Sequence, residues 1–536
     1  MRAERGGALL VLGVLTVSAV LGGIYGPAVR ATASNADQLK DAVRQFTSVL
    51  AVVQQNYAVP IDADHALYDG AIPGMLRVLD PHSNFFDPQA YALLQEDQRG
   101  EYFGVGMSIA PRDNQTVVLT PTVGTPAFRA GIKPGDIILK VDGKPTDGLD
   151  SSDVADLLRG ARGTTVQIAV RRDGSPEPLQ FTIMRDEIPK HSVDVAFMLR
   201  PGIGYIKLSG FNETTDAEMT EALKNLNAAS LDGLVLDLRN NPGGLVQAAV
   251  AVCDKFLDKN QLIVSERGRA VPEQRVYAMN GNHGLTAPLV VMINGGSASA
   301  AEIVTGAIQD HDRGVIVGEQ SFGKGLVQGL SHLSEDTGLE LVIARYYTPS
   351  GRLIQRDYKD ISLYDYLYNH KTPAPTEVKL TDDGRQVTGG GGITPDVMVA
   401  APKPNDFEAQ LYRANVFYPY QSPPSVGGFT TWFLGTKPTV GRSFDADDTV
   451  IADFRKYLDG KGIKYTDADI AANLDWIKQT IKSEVFTSVY GSNDGYEVEL
   501  ERDPQVDKAV ESLPQARTLY QDVRRIIAER TAGEPG

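Results

Sequence analysis

The chain has 536 residues, 42% of them apolar and 22% charged, enough to build buried cores for about three to four domains. A net charge of -16 without a basic run argues against nucleic-acid binding, which depends on clustered Lys and Arg. One cysteine and seven histidines without an HExxH pair exclude an intrachain disulfide, a cysteine-based zinc site and the commonest metalloprotease signature, so no metal or organic cofactor is expected.

Arg2 and Arg5 precede an uncharged stretch rich in Leu and Val from Gly6 to Val29, and Ala31-Thr32-Ala33 offers a small-x-small cleavage site. Residues 1–33 read as a cleaved export signal or a retained membrane anchor, their length suiting both. Either puts the body outside the cytoplasm, in the periplasm or at the outer face of the inner membrane.

Residues 34–100 read as a helical cap, with Leu39, Val43, Phe46, Leu50 and Val53 at helical spacing and a second short helix near Ile72 to Leu79. From 101 to 186, β-type runs such as Thr116–Leu119, Asp136–Val141 and Val166–Val170 alternate with Gly and Pro. With one helix opening at Ser152, they predict a compact module of five or six strands. From 187 to 402 strands and helices alternate, which predicts a right-handed βαβ core with a largely parallel sheet. Cys253, in the apolar run from Leu245, reads as a buried small hydrophobe. Residues 403–536 read as a mostly helical extension, with Ile470, Leu474, Ile477 and Ile481 as its clearest stripe. Stretches 366–405 and 418–448, rich in Pro, Gly and Thr, read as loops or linkers.

Three strand ends carry the residues suited to chemistry. The run Leu289–Asn294 leads through two glycines to Ser297-Ala298-Ser299, and a helix begins at Ala300. A hydroxyl held on a strand-to-helix turn, beside the free N–H groups of a first helical turn, suits a nucleophile with an oxyanion site. The same Ser299, with Glu302 three residues on, also reads as an ordinary capping box. The next strand, Val315–Gly318, is followed by Lys324 between Gly323 and Gly325, glycines that would let a serine backbone or substrate approach closely. In an extended segment the four-residue step puts Gln328 on the face of Lys324, where its carboxamide could orient the amine. Lysine acts as a base only when neutral, and lowering its pKa from about 10.4 to near 7 costs about 4 to 5 kcal/mol, which a dry pocket must impose. The third end, Leu234 to Leu245, passes through Asn240-Asn241-Pro242-Gly243-Gly244 into a helix. Ligands gather beyond the carboxyl ends of strands in such sheets, so the amide of Gly243 or Gly244 would be a second oxyanion donor beside that of Ala300.

The runs Gly-Ser-Ala-Ser-Ala-x-Glu (296–302), Phe-Gly-Lys-Gly-x-Val-Gln (322–328), Leu-Arg-Asn-Asn-Pro-Gly-Gly (238–244) and Ala-Arg-Tyr-Tyr-Thr-Pro-Ser-Gly-Arg (344–352) resemble those of the carboxyl-terminal processing, or tail-specific, protease family. Asp80-Pro81-His82-Ser83 and Phe103-Gly104-Val105-Gly106 extend the resemblance to roughly residues 35–400. It implies a crotonase/ClpP-like α/β core with an inserted PDZ-like domain, and a serine endopeptidase in which Ser299 is the nucleophile, Lys324 the general base and Gln328 its positioning partner. Ala301 and Leu326 depart from residues common there, at positions that carry no chemistry.

The resemblance also implies that residues 102–186 form a PDZ domain that takes apolar carboxyl-terminal tails of exported proteins. Such a domain needs a strand edge and a loop of free N–H groups. Gly104, Val105, Gly106 and Met107 suit the loop, and Val154, Leu157 and Leu158 the pocket wall. A β-rich spacer is the plainer reading of the same module. Protein substrates with exposed C-termini are the expected partners, with a homo-oligomer or an adaptor protein left open. Ser321-x-x-Lys324 also fits penicillin-recognising enzymes, but the glycines oppose the helical turn that chemistry needs, and no Gly-x-Ser-x-Gly elbow is present. The alternative from another class is a catalytically silent PDZ scaffold of the cell envelope.

Overall fold

The computed structural model describes residues 33–533 except 113, 173, 360, 370–376, 418–425 and 438–439. The proposed export segment lies outside the described residues but for Ala33. Among the described residues no helix is long and apolar enough to cross a membrane.

The described residues up to Val78 and those from Leu79 onward form two compact units. In the first, helix α1 (Ala33–Asn56) forms as its periodicity predicts, followed by short turns of which the last is Ile72–Arg77. Its stripe of Leu39, Val43, Phe46 and Val53 is exposed.

In the second unit, strand β1 (Asn84–Phe86) and helix α2 (Pro88–Arg99) lead into the β-rich module. Its strands are β2 (Glu101–Gly104), β3 (Met107–Arg112), β4 (Gln115–Pro121), β5 (Ile137–Val141), β6 (Thr165–Arg171), β7 (Leu179–Met184) and β8 (Asp186–Pro189). One antiparallel sheet runs β3-β4-β5-β6-β7, with β3 at its edge, while β2 pairs with β8 to close the stem. Helix α3 (Ser151–Leu158) packs against β3 and β5. The sequence reading missed a short helix, Pro126–Ala130. Pro at its first position and Gly131 at φ 87° after its end were the signals for it.

The core sheet runs β9 (Val193–Arg200), β10 (Ile203–Leu208), β11 (Gly233–Asp237), β14 (Leu289–Ile293), β15 (Val315–Gly318) and β18 (Val397–Met398), parallel from β10 onward. Helices α4 (Thr215–Asn225), α5 (Val246–Asp254) and α6 (Ala300–Asp310) connect its strands. Alternate strand residues take opposite faces: Ile206, Leu236, Val291 and Ile316 join the helices' core, with Cys253 fully buried among them. Val235, Val290, Met292 and Val317 face a second core. Burial on both faces is why these strands read as continuous apolar runs.

A second, antiparallel sheet was not anticipated: β12 (Leu262–Arg267), β13 (Gln274–Tyr277), β16 (Leu326–His332) and β17 (Gly338–Tyr347), with β1 on β17. The Lys324 segment feeds directly into β16. Within the stretch 366–405 a hairpin, Glu377–Leu380 with Gln386–Gly389, replaces the expected loop.

The extension contains α7 (Asp406–Arg413), α8 (Gly428–Thr436), α9 (Asp448–Gly460), α10 (Leu474–Tyr490), α11 (Ser492–Leu500), α12 (Pro504–Glu511) and α13 (Leu513–Gly533). Helix α8 lies inside the predicted linker 418–448 because Phe429 and Phe433 bury there, a stabilisation of about 1.5–3 kcal/mol each that outweighs the glycines. Helices α7 to α10 share a core with Ile470, Ile477 and Ile481, whereas Leu500, Val506, Leu513 and Leu519 cover the second face of the core sheet.

Candidate active site

Strands β11 and β14 are parallel neighbours, so their terminal turns lie side by side, as the sequence predicts. They are stitched together by paired asparagines: the Asn240 N–H donates to Asn294 Oδ1 (2.8 Å), and Asn294 Nδ2 to Asn240 Oδ1 (2.8 Å). The Ser297 hydroxyl donates to the Leu238 carbonyl (2.8 Å), and the Ala298 N–H to the Asn241 carbonyl (2.9 Å). Ser299 follows at φ 54°, ψ -115°, a conformation L-residues seldom adopt and not the extended one of an ordinary helix cap. Its N–H donates to Glu302 Oε2 (2.9 Å), so the capping-box partner is real, while the backbone strain marks a position with more to do than cap.

Gly243 explains the approach of the two turns. At φ 102°, a Cβ there would stand 2.8 Å from Ser299 Cβ and 2.9 Å from the Ala300 nitrogen. Only glycine leaves the Ala300 N–H open, and that group makes no hydrogen bond among the described residues. The Gly243 N–H itself is taken by Asn241 Oδ1 (2.9 Å). Gly244 bridges Phe211 in parallel register, which turns its own N–H away from Phe211. Of the two glycine amides, Gly244's is the one without a partner among the described residues.

One side chain ties the Lys324 segment to this turn. Glu302, fully buried on α6, accepts from the Ser299 and Lys324 N–H groups with the same oxygen, Oε2 (2.9 and 2.8 Å). Its Oε1 accepts from the Gly323 N–H (2.7 Å) and the Ser321 hydroxyl (2.5 Å). From the other side, the buried Tyr346 hydroxyl is within hydrogen-bond distance of the Ser299 carbonyl (2.9 Å) and of the Lys324 carbonyl. The structure therefore brings the two residues together at their backbones. Sequence reasoning treated Glu302 as a helix cap and gave Tyr346 no role. A lone carboxylate inside the all-apolar face of α6 was the signal for the first.

The glycines around Lys324 also let other segments of the chain approach closely. A Cβ at Gly323 would meet Gly392 N and Arg356 Cβ (3.0 Å each), and one at Gly325 would meet Gln355 N (2.9 Å). The close approach seen is to the chain's own 354–356 and 391–392 segments. Lys324 is half-buried, and burial holds its pKa below the ordinary lysine value against the opposing charges of Glu340 and Glu302.

Gln328 lies in the same cleft, but its carboxamide donates to the His82 carbonyl (2.6 Å). The register shift beside Val327 and Gln328 places its extra residue, Ile343, on β17 and not on β16. His82 belongs to a turn in which the Asp80 carboxylate accepts the His82 and Ser83 N–H groups (2.7 Å each). Burial and then the charge of Lys324 push the His82 pKa down to about 4, so its ring is neutral. Ser299, Lys324, Gln328, Gly243 and Gly244 all line one cleft of about 1030 Å³, walled by Phe211, Val246, Val250, Val264 and Ile303.

The tail-binding candidates divide. Val105, Val154 and Leu158 belong to the β-rich module's own core and offer no open wall, whereas Met107 and Leu157 are half-buried at its margin. Gly104 ends β2, paired with Asp186, rather than lying in the loop. The Val105 and Gly106 carbonyls are occupied, by the N–H groups of Ala127 (2.8 Å) and Thr122 (3.1 Å), while their own N–H groups have no partner among the described residues.

Residues 202–362 match the model of peptidase family S41, 117–172 a PDZ domain, and 464–513 the C-terminal helical domain of probable PDZ-proteases. A carboxy-terminal-processing protease of Bartonella bacilliformis is 37% identical over 382 residues, 70% of this chain and 79% of that protein. The chain belongs to peptidase family S41. It is a serine-type carboxyl-terminal processing peptidase with a PDZ domain. A carboxyl-terminal-processing protease of Synechocystis sp. is 39% identical over 52% of this chain and 66% of its own length. A photosystem II D1 C-terminal processing protease of known structure is 30% identical, covering 66% of this chain and 86% of its own, at a TM-score of 0.35.

Proposed function

We propose that this peptidase takes protein chains by their apolar C-terminal tails and cuts them internally by acyl transfer to Ser299. The Ser299 Oγ attacks the scissile carbonyl while the neutral Lys324 amine takes the hydroxyl proton and later delivers it to the leaving amine. The Ala300 and Gly244 N–H groups hold the oxyanion, and water releases the acyl product. Gln328 acts at one remove, bracing the His82 turn against the strand that follows Lys324. The observation that carries the reading is the double bridge, Glu302 Oε2 and Tyr346 Oη each reaching both Ser299 and Lys324.

For tail capture, the edge strand β3 offers unpaired backbone groups to an added strand, and the unpartnered Val105 and Gly106 amides suit a terminal carboxylate. Met107 and Leu157 flank that edge. On the same reading the core is crotonase/ClpP-like, supported by its run of parallel βα units. The composition of residues 1–33 supports export, with the body periplasmic or held at the outer face of the inner membrane.

Digestion of β-casein by wild type and Ser299→Ala tests the proposal. Cleavage is expected from wild type and a loss of at least about 10⁴-fold from the variant. Casein left intact by both would make the protein a silent PDZ scaffold, and equal cleavage by both would remove Ser299 from the reaction.

A further inference from the structure

The C-terminal extension reaches the catalytic turn through a buried cluster of charge. Asp237, fully buried at the end of β11, accepts from Tyr205 Oη (2.6 Å), Lys207 Nζ (3.3 Å) and Arg239 Nη2 (2.6 Å). Burial alone would raise the Asp237 pKa, but the charges of Arg239 and Lys207 overcome it and hold the carboxyl well below the usual range. The second arm of the Arg239 guanidinium, Nη1, leaves the core sheet and donates to Asp503 Oδ2 (2.7 Å) and Gln505 Oε1 (2.8 Å), where α12 begins. Two cations thus face two carboxylates, and one of those carboxylates comes from the extension.

Asp503 divides its oxygens between two tasks. Oδ1 caps α12 by accepting the Gln505 and Val506 N–H groups (2.8 and 3.2 Å), leaving Oδ2 for Arg239. Gln505, buried, donates its own amide to the Val399 carbonyl (2.7 Å), which fixes its oxygen toward Arg239. Beyond Arg239 the chain has little slack. The Lys207 ammonium holds the Arg239 carbonyl, Asn294 holds Asn240, and Asn241 bonds the Leu208 carbonyl (2.8 Å) and the Gly243 N–H (2.9 Å). A displacement of Arg239 is therefore passed to Gly243 and Gly244.

We infer that Asp503 and Gln505 are positioning residues for the reaction: from the C-terminal extension they hold the Arg239 guanidinium and so set the Asn240–Gly244 turn against Ser299. The inference rests on the proposed role of that turn as oxyanion donor. It gives the extension a part in catalysis beyond covering the sheet.

Asp503→Asn keeps a side chain that caps a helix and removes the charge facing Arg239. On a short peptide substrate, the full-length variant is expected to lose about 10²-fold in kcat with KM little changed, as a small misplacement of catalytic groups produces. Asp503→Glu is expected to recover part of that loss. Gln505→Ala, which leaves no charge uncompensated, is expected to lose about tenfold in kcat and decides the matter alone if Asp503→Asn does not fold. Folded variants with kcat within about twofold of wild type, or a loss entirely in KM, overturn the inference while leaving the reaction intact. Wild type that fails to cleave, or Ser299→Ala that cleaves as well, would instead overturn the reading beneath it.

Discussion

The two large sheets of the second unit differ in what they leave open. The core sheet is buried on both faces and opens only at its strand ends, where the turns after β11 and β14 and the Lys324 segment meet in one cleft. The PDZ sheet is antiparallel and ends at β3, whose outer edge carries no strand among the described residues. A sheet covered on both faces offers its ligand site beyond its strand ends, whereas one open at an edge can take an added strand by main-chain hydrogen bonds, with flanking pockets choosing the side chains. On the proposed reading, chemistry and capture divide between two kinds of sheet end.

Changes in the core sheet should strike turnover, and after loss of Ser299 or Lys324 themselves the largest effect is expected at Glu302. In Glu302→Gln an amide nitrogen faces N–H donors where a carboxylate oxygen stood, leaving buried donors unpaired at about 1–3 kcal/mol each. The Ser299 and Lys324 segments would separate, and kcat should fall about 10²-fold or more in protein that circular dichroism shows to be folded. Equal kcat would break the division, because the core would then tolerate a loose joint at its centre.

In the PDZ sheet the effect should be smaller and of another kind. Gly106 stands at φ 78° with a Cβ position 2.4 Å from Thr125 Cβ, so Gly106→Val must distort the loop that leads into β3. A rise in KM of about tenfold is expected for substrates with apolar tails, with short untailed peptides within about twofold. Equal effects on both would count against capture at this edge.

The sequence showed the core more fully than the module's groove, for physical reasons. Strands buried on both faces declare themselves as apolar runs, and the turns that end them carried Ser299, Lys324 and the Gly pair in plain view. The second sheet escaped notice because β16 and β17 bear Gln, Ser, His and Glu on half-exposed faces. Val154 and Leu158 have the helical spacing of a pocket wall, but that spacing equally marks a core-facing stripe, and they are core. Gln328 shares the cleft with Lys324, but its bond to the His82 carbonyl, 246 residues away, could be found only by the fold. Arg239 and Asp503, 264 residues apart, could be paired only by the fold.

The central claim is that a lysine made less basic by burial serves Ser299, and kcat/KM against pH tests it most directly. The base must be neutral, so activity should rise with pH through the Lys324 pKa, which burial sets below the ordinary lysine value. The Glu340 and Glu302 carboxylates oppose that shift, so Glu340→Gln should move the ascending limb to lower pH without changing the plateau greatly. A limb that stays in place in that variant, or a profile flat across this range in wild type, would contradict the assignment of Lys324 as the base.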